Sequence, residues 1–158
     1  RNVGMLSPEA GMRVADFGAV MGAYAPSLAE AVTNGGAVYA VDVQKDLLRR
    51  IANNAKTAGF KTVHVIVGDL EKPKATKLSE KILDFVLISN LLFQAEDIDG
   101  TGSLPAGREA AVRVGQQKKA VVTKARAQEL AIECGFGLVR EFEAGEHHYG
   151  LLFKKTLV

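Results

Sequence analysis

The sequence predicts an α/β fold, a doubly wound and mostly parallel sheet finished by a C-terminal antiparallel hairpin. Three observations carry that expectation. Short apolar runs alternate with segments of helical period. The runs are apolar nearly throughout, as strands covered on both faces are. The last two runs are joined by Ala144–His148, a link too short for a crossover and suited to a hairpin. The chain has 158 residues, enough for one domain with a real core, and we read residues 1–158 as a single domain.

Residues 1–12 form a lead-in segment, punctuated by Pro8 and Gly11. The first strand runs from about Arg13 to Asp16. A glycine-containing turn, Gly18 to Gly22, leads into a helix from about Ala23 to Val32. Pro26 lies in its first turn, where a missing N–H costs little, and Asn34-Gly35-Gly36 stops it. The second strand is Ala37–Val41, ending at Asp42. The next helix runs from about Gln44 to Ala58, with Leu47, Leu48, Ile51, Ala52 and Ala55 at helical spacing and Gly59 as its stop. Thr62–Val67 is the third strand, ending at Gly68-Asp69, and a lysine-rich linker with Pro73 follows. Leu83–Ile88 is the fourth strand, ending at Ser89-Asn90. Asp97–Ser103 is polar, glycine-rich and without helical period, so it reads as a mobile loop. Glu109–Val114 is a weak fifth strand. Thr123 N-caps a helix to Cys134, with Ala127, Leu130, Ala131 and Cys134 as its buried stripe. Leu138–Glu143 and Tyr149–Lys155 form the closing hairpin.

Composition narrows the functional classes. The apolar fraction is 47%, the charged fraction 24% and the net charge +2, which suits a globular domain. No basic stripe interleaved with aromatics argues for nucleic acid. No apolar run reaches the roughly 20 residues of a membrane span, and no signal-peptide pattern opens the chain. One cysteine, Cys134, excludes an internal disulfide and fits a reducing, cytoplasmic compartment. His147 and His148 lack a third ligand at a recognisable metal spacing. His64 alternates inside a strand as a structural residue. Tyr24 and Tyr149 suit either a pocket wall or core packing. A free sheet edge permits a homo-oligomer without requiring one.

The chemistry gathers at the strand ends. In an open parallel sheet, ligands bind outside the carboxyl ends of the strands, and here each of those ends is polar. Asp16 and the glycine turn end the first strand. A helix that starts after such a turn aims free N–H groups and the positive end of its dipole at whatever lies there. Asp42 follows Gly18 by 24 residues, a distance that suits an acid accepting hydrogen bonds from both ribose hydroxyls. Asp69 ends the third strand, within reach of an adenine amino group, and Asn90 ends the fourth beside the crevice. Any one of these acids could simply cap a strand or a helix. Four polar ends together favour a nucleoside site.

The segments Val14-Ala-Asp-Phe-Gly-Ala-Val-Met-Gly22, Val41-Asp42, Gly68-Asp69-Leu70 and Leu83-Asp-Phe-Val-Leu-Ile-Ser-Asn90 resemble the ordered motifs of class I S-adenosylmethionine-dependent methyltransferases. The resemblance runs from about Met12 to Lys155, and the plain, small form is most similar to the ubiquinone/menaquinone-biosynthesis-like branch. It implies a Rossmann-like fold, S-adenosylmethionine as cofactor and a small-molecule methyl acceptor. Asp16, Gly18 and Gly22 would shape the loop around the methionine part of the cofactor. Asp42 would bind the ribose hydroxyls and Val43 would pack against the adenine. Asp69 would reach the adenine amino group with Leu70 beside the ring, and Asn90 would lie near the sulfonium and the acceptor. Ala19 and Gly68 complete the implied cofactor contacts. No catalytic residue is implied, because in-line attack on the sulfonium methyl needs positioning and dryness more than a general base.

Two departures support a different outcome. Val20 stands where the family pattern has a middle glycine, and a β-branched side chain there restricts the turn. The region after Asn90 is short, with a loop where a helix is expected. These favour an alternative reading, a degenerate methyltransferase-fold domain that binds cofactor weakly or not at all and acts as a binding or regulatory module. A nicotinamide-dependent oxidoreductase is the third candidate; the chain lacks its tight three-glycine fingerprint and a Tyr-x-x-x-Lys pair.

Overall fold

A computed structural model describes residues 8–19, 24–33, 35–70, 76–78, 82–89, 109–115, 123–133, 135–143 and 148–155. In chain order these hold β1 (Arg13–Phe17), α1 (Ala25–Val32), β2 (Ala37–Asp42), α2 (Lys45–Thr57), β3 (Val63–Val67), β4 (Phe85–Ser89), β5 (Glu109–Gly115), α3 (Lys124–Glu133), β6 (Phe136–Glu143) and β7 (His148–Lys155). The strands form a 7-stranded sheet in the order β3-β2-β1-β4-β5-β7-β6. From β3 to β5 every pairing is parallel. β7 runs antiparallel between β5 and β6. The expected sheet, including its closing hairpin, is present. The chain moves outward from β1 to β3 and then crosses to β4 on the other side of β1. That reversal puts a switch point between β1 and β4.

The two sheet faces carry separate cores. Val14, Val38, Phe85 and Leu87 share one face with Leu28, Ala29 and Val32 of α1, and Ala40 with Leu48 of α2 continues it. Ala15, Phe17, Val41, Val86 and Ile88 share the other with Ala127 and Ala131 of α3. The side-chain alternation of a strand makes this division. Each buried Val, Leu or Phe stabilises the fold by about 1.5–3 kcal/mol. Thr123 caps α3 as expected, its Oγ1 accepting the Arg126 N–H at 3.2 Å. In α2, Asp46 lies in the first turn and Lys56 in the last, matching the helix dipole.

Some element boundaries move for identifiable reasons. β4 starts at Phe85, two residues after the expected Leu83, because Asp84 is held at the amino edge of the sheet. Its Oδ2 accepts the Arg13 N–H at 3.0 Å, and its own N–H donates to the Arg13 carbonyl at 2.9 Å. β5 is a full strand of 7 residues, paired on both sides despite its polar sequence. β3 is an edge strand, so one side of its apolar run stays open. His64 on it is exposed and stacks on Tyr39, with ring centroids 5.5 Å apart. Tyr149 is a core residue, 7% exposed, and burial pushes its hydroxyl pKa up to about 12. Cys134, the Asp97–Ser103 loop and His147 lie outside the described residues.

Candidate functional site

The carboxyl ends of β1, β2 and β3 are tied together by their backbones. After β1 the chain turns at Gly18, whose φ of 73° is a left-handed conformation that glycine adopts without steric cost. The turn aims the Gly18 N–H at the Val41 carbonyl of β2, at 3.0 Å. The Gly68 N–H, just beyond β3, donates to the Asp42 carbonyl at 3.0 Å. These two bonds bring the ends that carry Asp16, Asp42 and Asp69 onto one rim.

Each side chain on this rim is set by its element. Asp16 points to the same face as Val14, between Ala40 of β2 and Leu87 of β4 in register. It is fully buried. Among the described residues neither of its carboxyl oxygens has a hydrogen-bond partner. Burial, with a smaller contribution from the charge of Asp42, pushes its pKa up to about 8. Asp42 is 8% exposed, and its Oδ1 accepts the Gln44 N–H at 3.0 Å. That local bond turns the chain from β2 into α2. Ala19 is buried against Ala40 and Leu48, so it packs the start of the turn onto α2. Gly68, Asp69 and Leu70 are half-buried, with Leu70 against the core on the α3 side.

Val43 follows Asp42 and is 60% exposed. Val67, the register partner of Asp42, is 51% exposed. The rim therefore pairs acceptors with two open apolar side chains, an arrangement suited to a flat heterocycle on a hydroxylated sugar. Val67 was not singled out in the sequence. Its only signal there is its place as the last apolar residue before Gly68. α1 opens beside the rim with Pro in its first turn, so the positive end of its dipole lies toward the rim.

The sequence-predicted residues Asp16, Gly18, Ala19, Asp42, Val43, Gly68, Asp69 and Leu70 thus all lie at the carboxyl end of the parallel strands. Val20, Met21, Gly22 and Asn90 are outside the described residues. Among the described residues no three His, Cys, Asp or Glu side chains cluster as metal ligands. No described helix is long and apolar enough to cross a membrane.

Comparison with known proteins points one way. The family model described as "Methyltransferase domain" matches residues 8–131. Over 73 residues the chain is 40% identical to the protein-L-isoaspartate O-methyltransferase of Aeropyrum pernix. The match takes in 46% of this chain and only 28% of that protein. Among solved structures, a SAM-dependent methyltransferase from Aquifex aeolicus superposes with a TM-score of 0.83 at 20% identity, covering 98% of this chain and 87% of that one. The magnesium protoporphyrin IX methyltransferase of Synechocystis, solved with bound SAM, gives a TM-score of 0.73 at 19% identity, covering 93% and 71%. The two of these relatives whose names give an acceptor give different ones, and none singles out the quinone-biosynthesis branch.

Proposed function

The chain belongs to the methyltransferase-domain family, and on that premise we propose that it transfers a methyl group from S-adenosylmethionine to a small-molecule acceptor. The observation that carries the cofactor is the rim, where Asp16 and Asp42 lie at the carboxyl ends of neighbouring parallel strands beside a left-handed Gly18. The residues fit the cofactor. Asp42 would take the ribose hydroxyls, Val43 and Val67 would flank the adenine, and Asp69 would reach its amino group. The turn from Gly18 to Gly22 and the buried Asp16 would take the methionine end, and Asn90 would lie near the acceptor. When bound, the cofactor supplies an electrophilic methyl on a sulfonium. The chain holds the two partners in line and keeps water out. No base among the described residues is required for that step.

A modest net charge of +2 and the absence of a basic–aromatic stripe support a small acceptor over nucleic acid. The relative from Aeropyrum pernix, a protein O-methyltransferase by name, supports a second reading in which the acceptor is a protein carboxyl. We assign the activity to one domain, residues 1–158.

Calorimetric titration with S-adenosylhomocysteine, with NAD as control, tests the cofactor. Micromolar binding of the first and none of the second is expected. Silence with both would favour the degenerate domain. A methyl-transfer screen that includes an isoaspartyl peptide then separates the two acceptor classes.

A further inference from the structure

Asp16 presents a problem that the fold leaves open. A carboxylate buried among apolar groups has three ways out: hydrogen bonds, a counter-charge or a proton. Among the described residues it has no hydrogen bond. No described cation faces it either. Its register neighbours on β2 and β4 are Ala40 and Leu87. Among the described residues the ionisable group acting on it is the acid Asp42, one pleat further along β2. α2 turns Leu48 inward and leaves Lys45, Asp46 and Arg49 exposed. α1 contributes no charge nearer than the exposed Glu30. His64 of β3 is exposed and stacked on Tyr39 of the opposite face.

Resting on the S-adenosylmethionine reading, we propose that Asp16 senses charge in the site, holding a proton when no cation is beside it and releasing that proton when the cationic cofactor binds. Its O–H bond breaks, the electron pair stays on the carboxylate oxygen and the proton goes to buffer. After methyl transfer the sulfur is a neutral thioether, and the carboxylate takes a proton back from solvent. Asp16 therefore makes the site prefer the charged cofactor to its own product. With its pKa near 8, Asp16 is mostly protonated at neutral pH. A cation nearby lowers a carboxyl pKa by about 1–3 units, enough to ionise a large part of the population.

The test is calorimetry of the whole chain at pH 7.5 in two buffers of different ionisation enthalpy, phosphate and Tris. S-adenosylmethionine and S-adenosylhomocysteine differ in the charge on sulfur, and the same titrations of Asp16→Asn take out what the ligands' own α-amino groups contribute. Release of roughly half a proton or more per S-adenosylmethionine is expected, from the 1–3 unit lowering, and clearly less with S-adenosylhomocysteine. Asp16→Asn should abolish that difference and narrow the affinity ratio between the two ligands. Should Asp16→Asn fail to fold, Asp16→Ser and the wild type between pH 6 and 9 decide the matter. In the wild type the affinity ratio should rise with pH, by up to about tenfold per unit, and level off above about pH 8. Equal proton release with both ligands, or a flat ratio, overturns the proposal while leaving the cofactor assignment intact. No binding of either ligand overturns both.

Discussion

The two ends of β1 treat an acid in opposite ways. At the amino end, Asp84 and Arg13 exchange two hydrogen bonds through side chain and backbone. The Ala37 N–H donates to the Met12 carbonyl at 3.1 Å beside them. At the carboxyl end, Asp16 is more deeply buried and its carboxyl has no hydrogen bond among the described residues. One sheet thus carries an acid whose needs the fold meets and an acid whose needs it leaves unmet. An unmet buried carboxylate lowers stability. The contrast teaches where in this domain stability has been given up, and that place is the rim where a ligand belongs.

The contrast can be broken most directly through pH. The Asp16 pKa is raised from 3.8 to about 8, so the folded state holds a proton that the unfolded state has already lost. Its contribution is therefore fully present below about pH 4 and is lost as pH rises through about 8. Urea midpoints from pH 5 to 9 should decline in the wild type more than in Asp16→Asn. Parallel profiles would mean that Asp16 has a partner after all. The next largest effect is expected at Asp42. Asp42→Ala should weaken S-adenosylhomocysteine binding by roughly 1.5–3 kcal/mol, the range for hydrogen bonds to a charged group. Unchanged affinity in calorimetry would remove the ribose assignment. Asp84→Ala sharpens the comparison from the other end. It should cost about 0.5–1.5 kcal/mol of stability and leave ligand affinity where it was. A loss of affinity there would mean the two edges are coupled.

Much of this was legible in the sequence, because buried parallel strands declare themselves as apolar runs and their polar ends mark the rim. Asp16, Asp42 and Asp69 could be named from position alone. What position could not show is the environment that neighbours create. The burial of Asp16 depends on β2 and β4 closing from both sides, and those pairings join residues far apart in the chain. β5 looked weak because Glu109 and Arg113 interrupt its apolar pattern, yet pairing with β4 and β7 on either side overrides local propensity. The apolar run places the start of β4 at Leu83, whereas the strand begins at Phe85. The backbone bond from Asp84 to Arg13 sets the boundary. Val67 passed unnoticed since nothing in its own segment shows that β3 lies at the sheet edge.

β6 forms the opposite edge of the sheet, and its register skips between Leu138 and Arg140. Val139 has no partner across the ladder there and is 58% exposed. A strand interrupted in this way twists away from a straight course. A second chain could follow its N–H and C=O groups for only a few residues before losing step. Arg140, Glu141 and Glu143, all exposed, add charge along the same stretch. A bulge in the last hairpin thereby guards this domain against the fibrous stacking that an open edge otherwise invites.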